Sequence, residues 1–266
     1  MASFLDKVFN HIQLVLLNIA IIAGAEFAGA GKFFEETGLI HGIVLVFVFL
    51  IMARIFSEYA FGDYILKGFL KIQLGFFVLL GLIHIYEYLG LYVLKINNVV
   101  VESTATLLYV IWLIGNVIAL EFVFRIYQKK KITQMAFLIA LASLVGLVVV
   151  LMHVFSGMVQ EVPRWIKDLM VILAIVFGAL GIWCTSKITT IMPIFKSYAY
   201  YRLPATFLVV AATLSEYAES TGILKQFGIS ETQNLYLSHF TIYAALSFLL
   251  IAYGKLKRPE GIYSEM

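Results

Sequence analysis

Few residues in this chain can do chemistry, and their spacing singles out two pairs. His84 and Glu87 stand three apart, as do Glu216 and Glu219, so each pair shares one face of a helix. His153 and Glu26 add a third imidazole-or-carboxyl position each on other segments. Adjacent carboxyls removed from water cannot all ionise cheaply, so such groups share protons, pair with imidazole or hold a cation. Four chemistries fit the pattern. A quinone head group needs a donor at each carbonyl and a proton acceptor, which His84 and Glu87 supply. Haem b needs axial histidines from two helices, and His84 with His153 makes one such pair. A dinuclear metal site of helical bundles uses Glu-x-x-His. Here the order is His-x-x-Glu with one complete copy, and no metal site is assigned. A proton or metal-cation pathway would use the same residues. His11, His41 and His239 stand singly and read as packing or interfacial side chains.

The segments that carry these residues are apolar throughout. The chain has 266 residues, of which 62% are hydrophobic and 13% charged. A soluble domain has about 45–50% apolar and about 25% charged residues. Mean hydropathy is +0.96. Composition therefore excludes a soluble enzyme, a nucleic-acid binder and a disordered tail. A spanning helix needs roughly 20 mostly apolar residues. Eight stretches qualify: 9–32, 40–62, 70–94, 104–127, 134–158, 168–192, 204–225 and 234–254. With lipid around it, backbone must close its hydrogen bonds internally. The expected fold is thus an all-α, polytopic bundle of about eight helices in a single transmembrane domain, 1–266.

Charge gives the orientation. With the N-terminus inside, inner ends and loops hold fourteen of the 19 Lys and Arg, and the outer side holds five: Lys32, Lys95, Arg164, Lys167 and Lys225. Acids run the other way, ten outer to six inner. This positive-inside bias predicts a multi-pass protein of the cell inner (plasma) membrane with both termini cytoplasmic. The Lys129-Lys130-Lys131 run is a topology signal first and a contact for anionic lipid second. A cleaved secretory signal ending at Ala23-Gly24-Ala25 is the competing reading of the first span. The paired sites then fall in the outer half of the bundle. The odd-numbered spans share a pattern there. Aligning Glu26, Glu87, Ser156 and Glu219 gives offsets of 61, 69 and 63 residues, close to one two-helix hairpin each time.

Nearer the cytoplasmic ends, Arg54 with Glu58 and Glu121 with Arg125 are spaced i,i+4 and predict salt bridges. Pro193 should end or kink the sixth span. A single cysteine, Cys184, excludes an intramolecular disulfide and a Cys-based zinc site. No HExxH, GxSxG or phosphate-binding glycine loop is present.

The stretch 144–182 is similar to a known family. Phe155-Ser156-Gly157, then Val162-Pro163-Arg164-Trp165, then an apolar span with Gly178 and Gly181, resembles the NrfD/PsrC-type membrane subunits of polysulfide-reductase-like complexes. Ser57-Glu58-Tyr59-Ala60-Phe61 stands where that family has an Asp-Leu-Gly-Arg-Pro-like stretch. The resemblance implies a haem-free membrane anchor that exchanges electrons and protons with quinone near the outer face. Its partners would be iron–sulfur or molybdenum-type subunits, with membrane lipid around it and no nucleic acid. On that reading Glu87 and His84 contact the head group, Glu216 and Glu219 relay protons, and Glu26 and His153 complete the pocket. The rival expectation is a secondary transporter or channel for protons or metal cations built on the same side chains.

Overall fold

The computed structural model describes residues 17, 18, 20, 21, 38–60, 64–96, 98–128, 133–154, 163–192 and 195–256. Among them the secondary structure is helical. Seven long helices are α1 (Leu39–Tyr59), α2 (Tyr64–Tyr88), α3 (Asn98–Gln128), α4 (Thr133–Val154), α5 (Arg164–Ile191), α6 (Phe195–Ser220) and α8 (Glu231–Gly254). A short α7 (Ile223–Gln226) links the last two, and a π-helical turn, Leu89–Val93, extends α2. The long helices lie over seven of the eight apolar stretches read from sequence. The first stretch, 9–32, falls almost wholly outside the described residues; within it, Asn18 donates to Ser247 Oγ of α8 at 2.7 Å.

Five of the helices are long and apolar enough to cross a membrane: α1, α2 with its π turn, α3, α5 and α8. The apolar part of α4, Phe137–Met152, is shorter. The bundle is inside-out by soluble standards, which makes it compatible with membrane embedding. Phe49, Phe56, Phe137, Leu147, Ile172 and Phe207 are exposed, whereas Gln73, His84, Asn116 and Arg202 are buried. A water-soluble surface rarely carries contiguous apolar area of this kind.

Packing arranges six helices in a closed ring. α1 packs on α2, α2 on α3, α3 on α5, α5 on α6, α6 on α8 and α8 back on α1. Periodicity explains which faces turn inward. On α1 the buried line runs His41, Val44, Val48, Ile51, Ile55; on α2 it runs Gln73, Phe77, Leu80, His84. Both follow the three- and four-residue steps of a helix face. α4 packs on α3 outside this ring, burying Val145 and Met152 with Leu107 of α3 and Met170 of α5.

Local sequence sets several helix ends. Ser230 caps α8: its Oγ accepts from Gln233 N at 3.2 Å, and Gln233 Oε1 accepts from Ser230 N at 2.9 Å. α5 stops at Ile191, and Met192 is extended, as the residue before Pro193 must be. Pro204 lies inside α6, where it removes one rung of the helical ladder. Gly38 precedes α1 with φ of 64°, and a Cβ there would lie 2.7 Å from the Tyr88 ring and 2.8 Å from that of Tyr92. Glycine is thus required twice, for the left-handed backbone and for the close approach of α2. Gly38→Ala should destabilise the bundle by about 2 kcal/mol, from strain plus overpacking. Denaturant unfolding in detergent checks this, and an unchanged midpoint would contradict it.

Candidate functional site

At the end of the ring where α1 begins and α2 finishes, five helical elements bring polar side chains together. His41 lies in the first turn of α1. His84 and Glu87 lie in the last two turns of α2. Tyr109 comes from α3, His239 from α8 and Tyr92 from the π turn. The π turn is closed by Leu94 N to Leu89 O at 2.7 Å. Tyr92 on this turn faces the His41 ring, with centroids 6.3 Å apart, and the Tyr88 ring at 5.6 Å. Such turns recur where a helix must aim a side chain at a site.

Glu87 is the centre. Its Oε2 lies 2.8 Å from His84 Nδ1 and 3.4 Å from His41 Nδ1. Both contacts pair an imidazole nitrogen with the same carboxyl oxygen at ion-pair distance. The three atoms lie within 4.8 Å of one another. Two imidazole nitrogens and a carboxyl oxygen gathered this closely are also the ligand types of a metal-binding set. His84 is 1% exposed and His41 6% exposed. The far nitrogen of His84, Nε2, shares a 2.7 Å hydrogen bond with the Tyr109 hydroxyl. That contact fixes the ring and leaves Nδ1 toward Glu87, the orienting role that outer partners play for ligating imidazoles.

Behind His41 lies His239 of α8. His41 and His239 rings meet edge-on at 5.3 Å. Ser238 Oγ is 3.2 Å from His239 Nδ1. Tyr243, one turn along α8, donates to Ile40 O at 2.8 Å, which pins α8 to α1 beside His41. Phe47 stacks on Tyr243 and closes the site below.

The sequence-derived residues divide accordingly. His84 and Glu87 sit in the cluster. Glu216 is half-buried in α6 and within Coulombic reach of Tyr109. The helix that carries it is tied to its neighbours by Ser215 with Asn234 and by Tyr217 with Asp168. Glu219 and His153 lie on α6 and α4, but their side chains fall outside the described residues, as does Glu26 entirely. His41 and His239, read as packing or interfacial side chains, are both buried; His239 packs edge-on against the His41 ring, and His41 in addition lies beside Glu87. The signal for His41 is present in sequence, since it heads the same three- and four-residue line as Val44, Val48 and Ile51. The expected i,i+4 bridges form, Arg54 with Glu58 at 3.2 Å and Arg125 with Glu121 at 2.6 Å.

No protein-family model, curated protein or solved structure matches the chain.

The arrangement can hold a cation on two imidazoles and a carboxyl, or pass protons along Tyr109, His84, Glu87 and His41. Both depend on the Tyr109 contact that orients His84. Tyr109→Phe should leave His84 Nε2 buried without a partner, at a cost of about 1–3 kcal/mol. Equilibrium unfolding of the variant measures that loss; a wild-type midpoint would show that Tyr109 does not orient the imidazole.

Proposed function

We propose that this protein is a polytopic membrane protein that binds a cation, either a proton or a divalent transition metal, at His41, His84 and Glu87, and acts as a secondary transporter or channel for it. The observation that carries this reading is the convergence of two imidazole nitrogens and one carboxyl oxygen within 4.8 Å. Two nitrogens and a carboxyl oxygen suit borderline divalent ions such as zinc. A buried ionisable cluster within a spanning bundle is also the usual mark of an ion path. In this reading Glu216 contributes to the approach from the outer face. The bundle has eight spans arranged as hairpins, in the plasma membrane, with both termini cytoplasmic. The alignment of seven long helices with the sequence spans and the fourteen-to-five distribution of Lys and Arg support that topology.

The second reading is the quinone-linked anchor of a redox complex with iron–sulfur or molybdenum-type partners. The hydrogen-bonded chain Tyr109–His84, continuing to Glu87, favours it, because it offers a donor and a proton acceptor beside aromatic rings. Axial haem b ligation by His84 through Nε2 is not adopted, since the Tyr109 hydroxyl holds that nitrogen at 2.7 Å.

The deciding experiment is calorimetric titration of the purified full chain with zinc, manganese and cobalt, followed by flux in proteoliposomes. The cation reading predicts saturable binding and uptake by the protein alone. Glu87→Gln should weaken binding at least tenfold, about 1.4 kcal/mol. Absence of metal binding and of metal or proton flux, with co-purifying quinone and iron–sulfur subunits, would replace it with the anchor reading.

A further inference from the structure

A second polar cluster lies toward the opposite end of the ring, and its charge is of the opposite sign. Gln73 sits three turns along α2 from His84, about 16 Å by helical rise. Near it is Arg202 of α6, only 2% exposed and among the largest fully buried side chains of the protein. Its Nη2 donates to Asn116 Oδ1 of α3. Its Nη1 donates to the Tyr253 hydroxyl of α8 at 3.4 Å, and Tyr253 in turn donates to Gln73 Oε1 at 2.6 Å. The guanidinium carbon lies 6.0 Å from the Tyr198 ring centroid. Four helices of the ring therefore converge on one guanidinium.

What this cluster lacks is a carboxylate. Arg54 has Glu58 and Arg125 has Glu121, yet among the described residues no acid pairs with Arg202. Arginine cannot shed its proton to escape burial. A charge inside a spanning bundle is retained where it has a partner. The neutral groups around Arg202 do not supply one. Asn116 and Tyr253 offer dipoles and no net negative charge. The remaining polar atoms are an excess of donors. Arg202 Nε and Gln73 Nε2 are buried with no hydrogen-bond partner, and the Tyr198 hydroxyl beside Arg202 and Tyr253 can donate as well as accept. The acceptor of Asn116, its Oδ1, is already taken by Arg202 Nη2, and its amide donates to Trp112 O at 2.8 Å.

A surplus of N–H and O–H donors around an uncompensated planar fork is the complement of an oxyanion. We propose that Arg202, Gln73 and Tyr198, with Asn116 and Tyr253 holding the guanidinium, form a buried binding site for a small oxyanion of the carboxylate or phosphate class. The fork of Arg202 takes two oxygens of such a group at once, a geometry that lysine does not reproduce. The bound charge neutralises the guanidinium and satisfies donors that the protein itself leaves open. The phosphate could belong to a lipid head group or to a free solute, and the chemistry recognised is the same. This inference rests on different residues from the cation site and does not depend on it.

The test uses the full chain in phosphatidylcholine nanodiscs. Thermal unfolding is followed as acetate and inorganic phosphate are titrated in, with ionic strength held constant by sodium chloride. The expected result is a saturable rise in Tm beyond that of chloride. Arg202→Lys, which keeps the charge but not the fork, should weaken the apparent affinity at least tenfold, and Gln73→Met several-fold. The Gln73 variant keeps the charge and provides the comparison if the arginine variants do not fold. A repeat in discs containing phosphatidylglycerol separates the sources. A lipid-filled site would be stabilised before any solute is added and would no longer respond to it, whereas a solute site would titrate as before. No saturable response in wild type in either disc, or unchanged affinity in both Arg202→Lys and Gln73→Met, would overturn the proposal.

Discussion

A carboxyl group inside a bundle of apolar helices has no water to turn to, and the Glu87 carboxyl meets that constraint by drawing two imidazoles onto one oxygen. His84 reaches it from one turn away on the same helix and His41 from α1. Everything near it serves this convergence. Gly38 lets α1 start against the Tyr88 and Tyr92 rings, so that His41 faces α2. Tyr109 holds the far side of His84. The hydroxyl of Tyr243 holds α8 to the first turn of α1, which brings His239 edge-on to His41. Polar contacts of this kind also fix the order of helices, since dispersion alone is indifferent to which apolar faces meet.

The same constraint operates at the other end of the ring with the sign reversed. There the buried charge is a guanidinium and the partners are neutral. Between the two clusters the ring is filled by aromatic side chains: Phe77 meets both Trp112 and Tyr253, and Phe47 stacks on Tyr243. A cation held at Glu87 and a positive charge fixed at Arg202 repel each other across this apolar layer. Compensation of Arg202 by an anion would therefore lower the barrier to any cation moving inward.

Much of the architecture is legible in the sequence because lipid imposes a simple rule of length and apolarity. The stretch 168–192 anticipates α5, and Pro193 accounts for its end. The His84 and Glu87 pair is legible for the same local reason: three-residue spacing guarantees a shared face. Partners across the ring are less accessible. His41 lies 46 residues before Glu87 and His239 lies 155 beyond His84, and nothing in local spacing says that α1 and α8 flank α2 and each other. Single histidines on apolar faces resemble packing residues until the ring closes. Arg202 is the clearest example. It counts toward the inner positive charges that orient the chain, yet it points into the core and uses Asn116 and Tyr253 from helices distant in sequence.

X-ray absorption at the zinc edge of the metal-loaded full chain tests the central claim most directly. The account predicts a first shell containing two imidazole nitrogens and a carboxylate oxygen at about 2.0–2.2 Å. One imidazole should disappear in His41→Ala and the oxygen in Glu87→Gln. A shell of water oxygens alone, or one unchanged by either substitution, would contradict it.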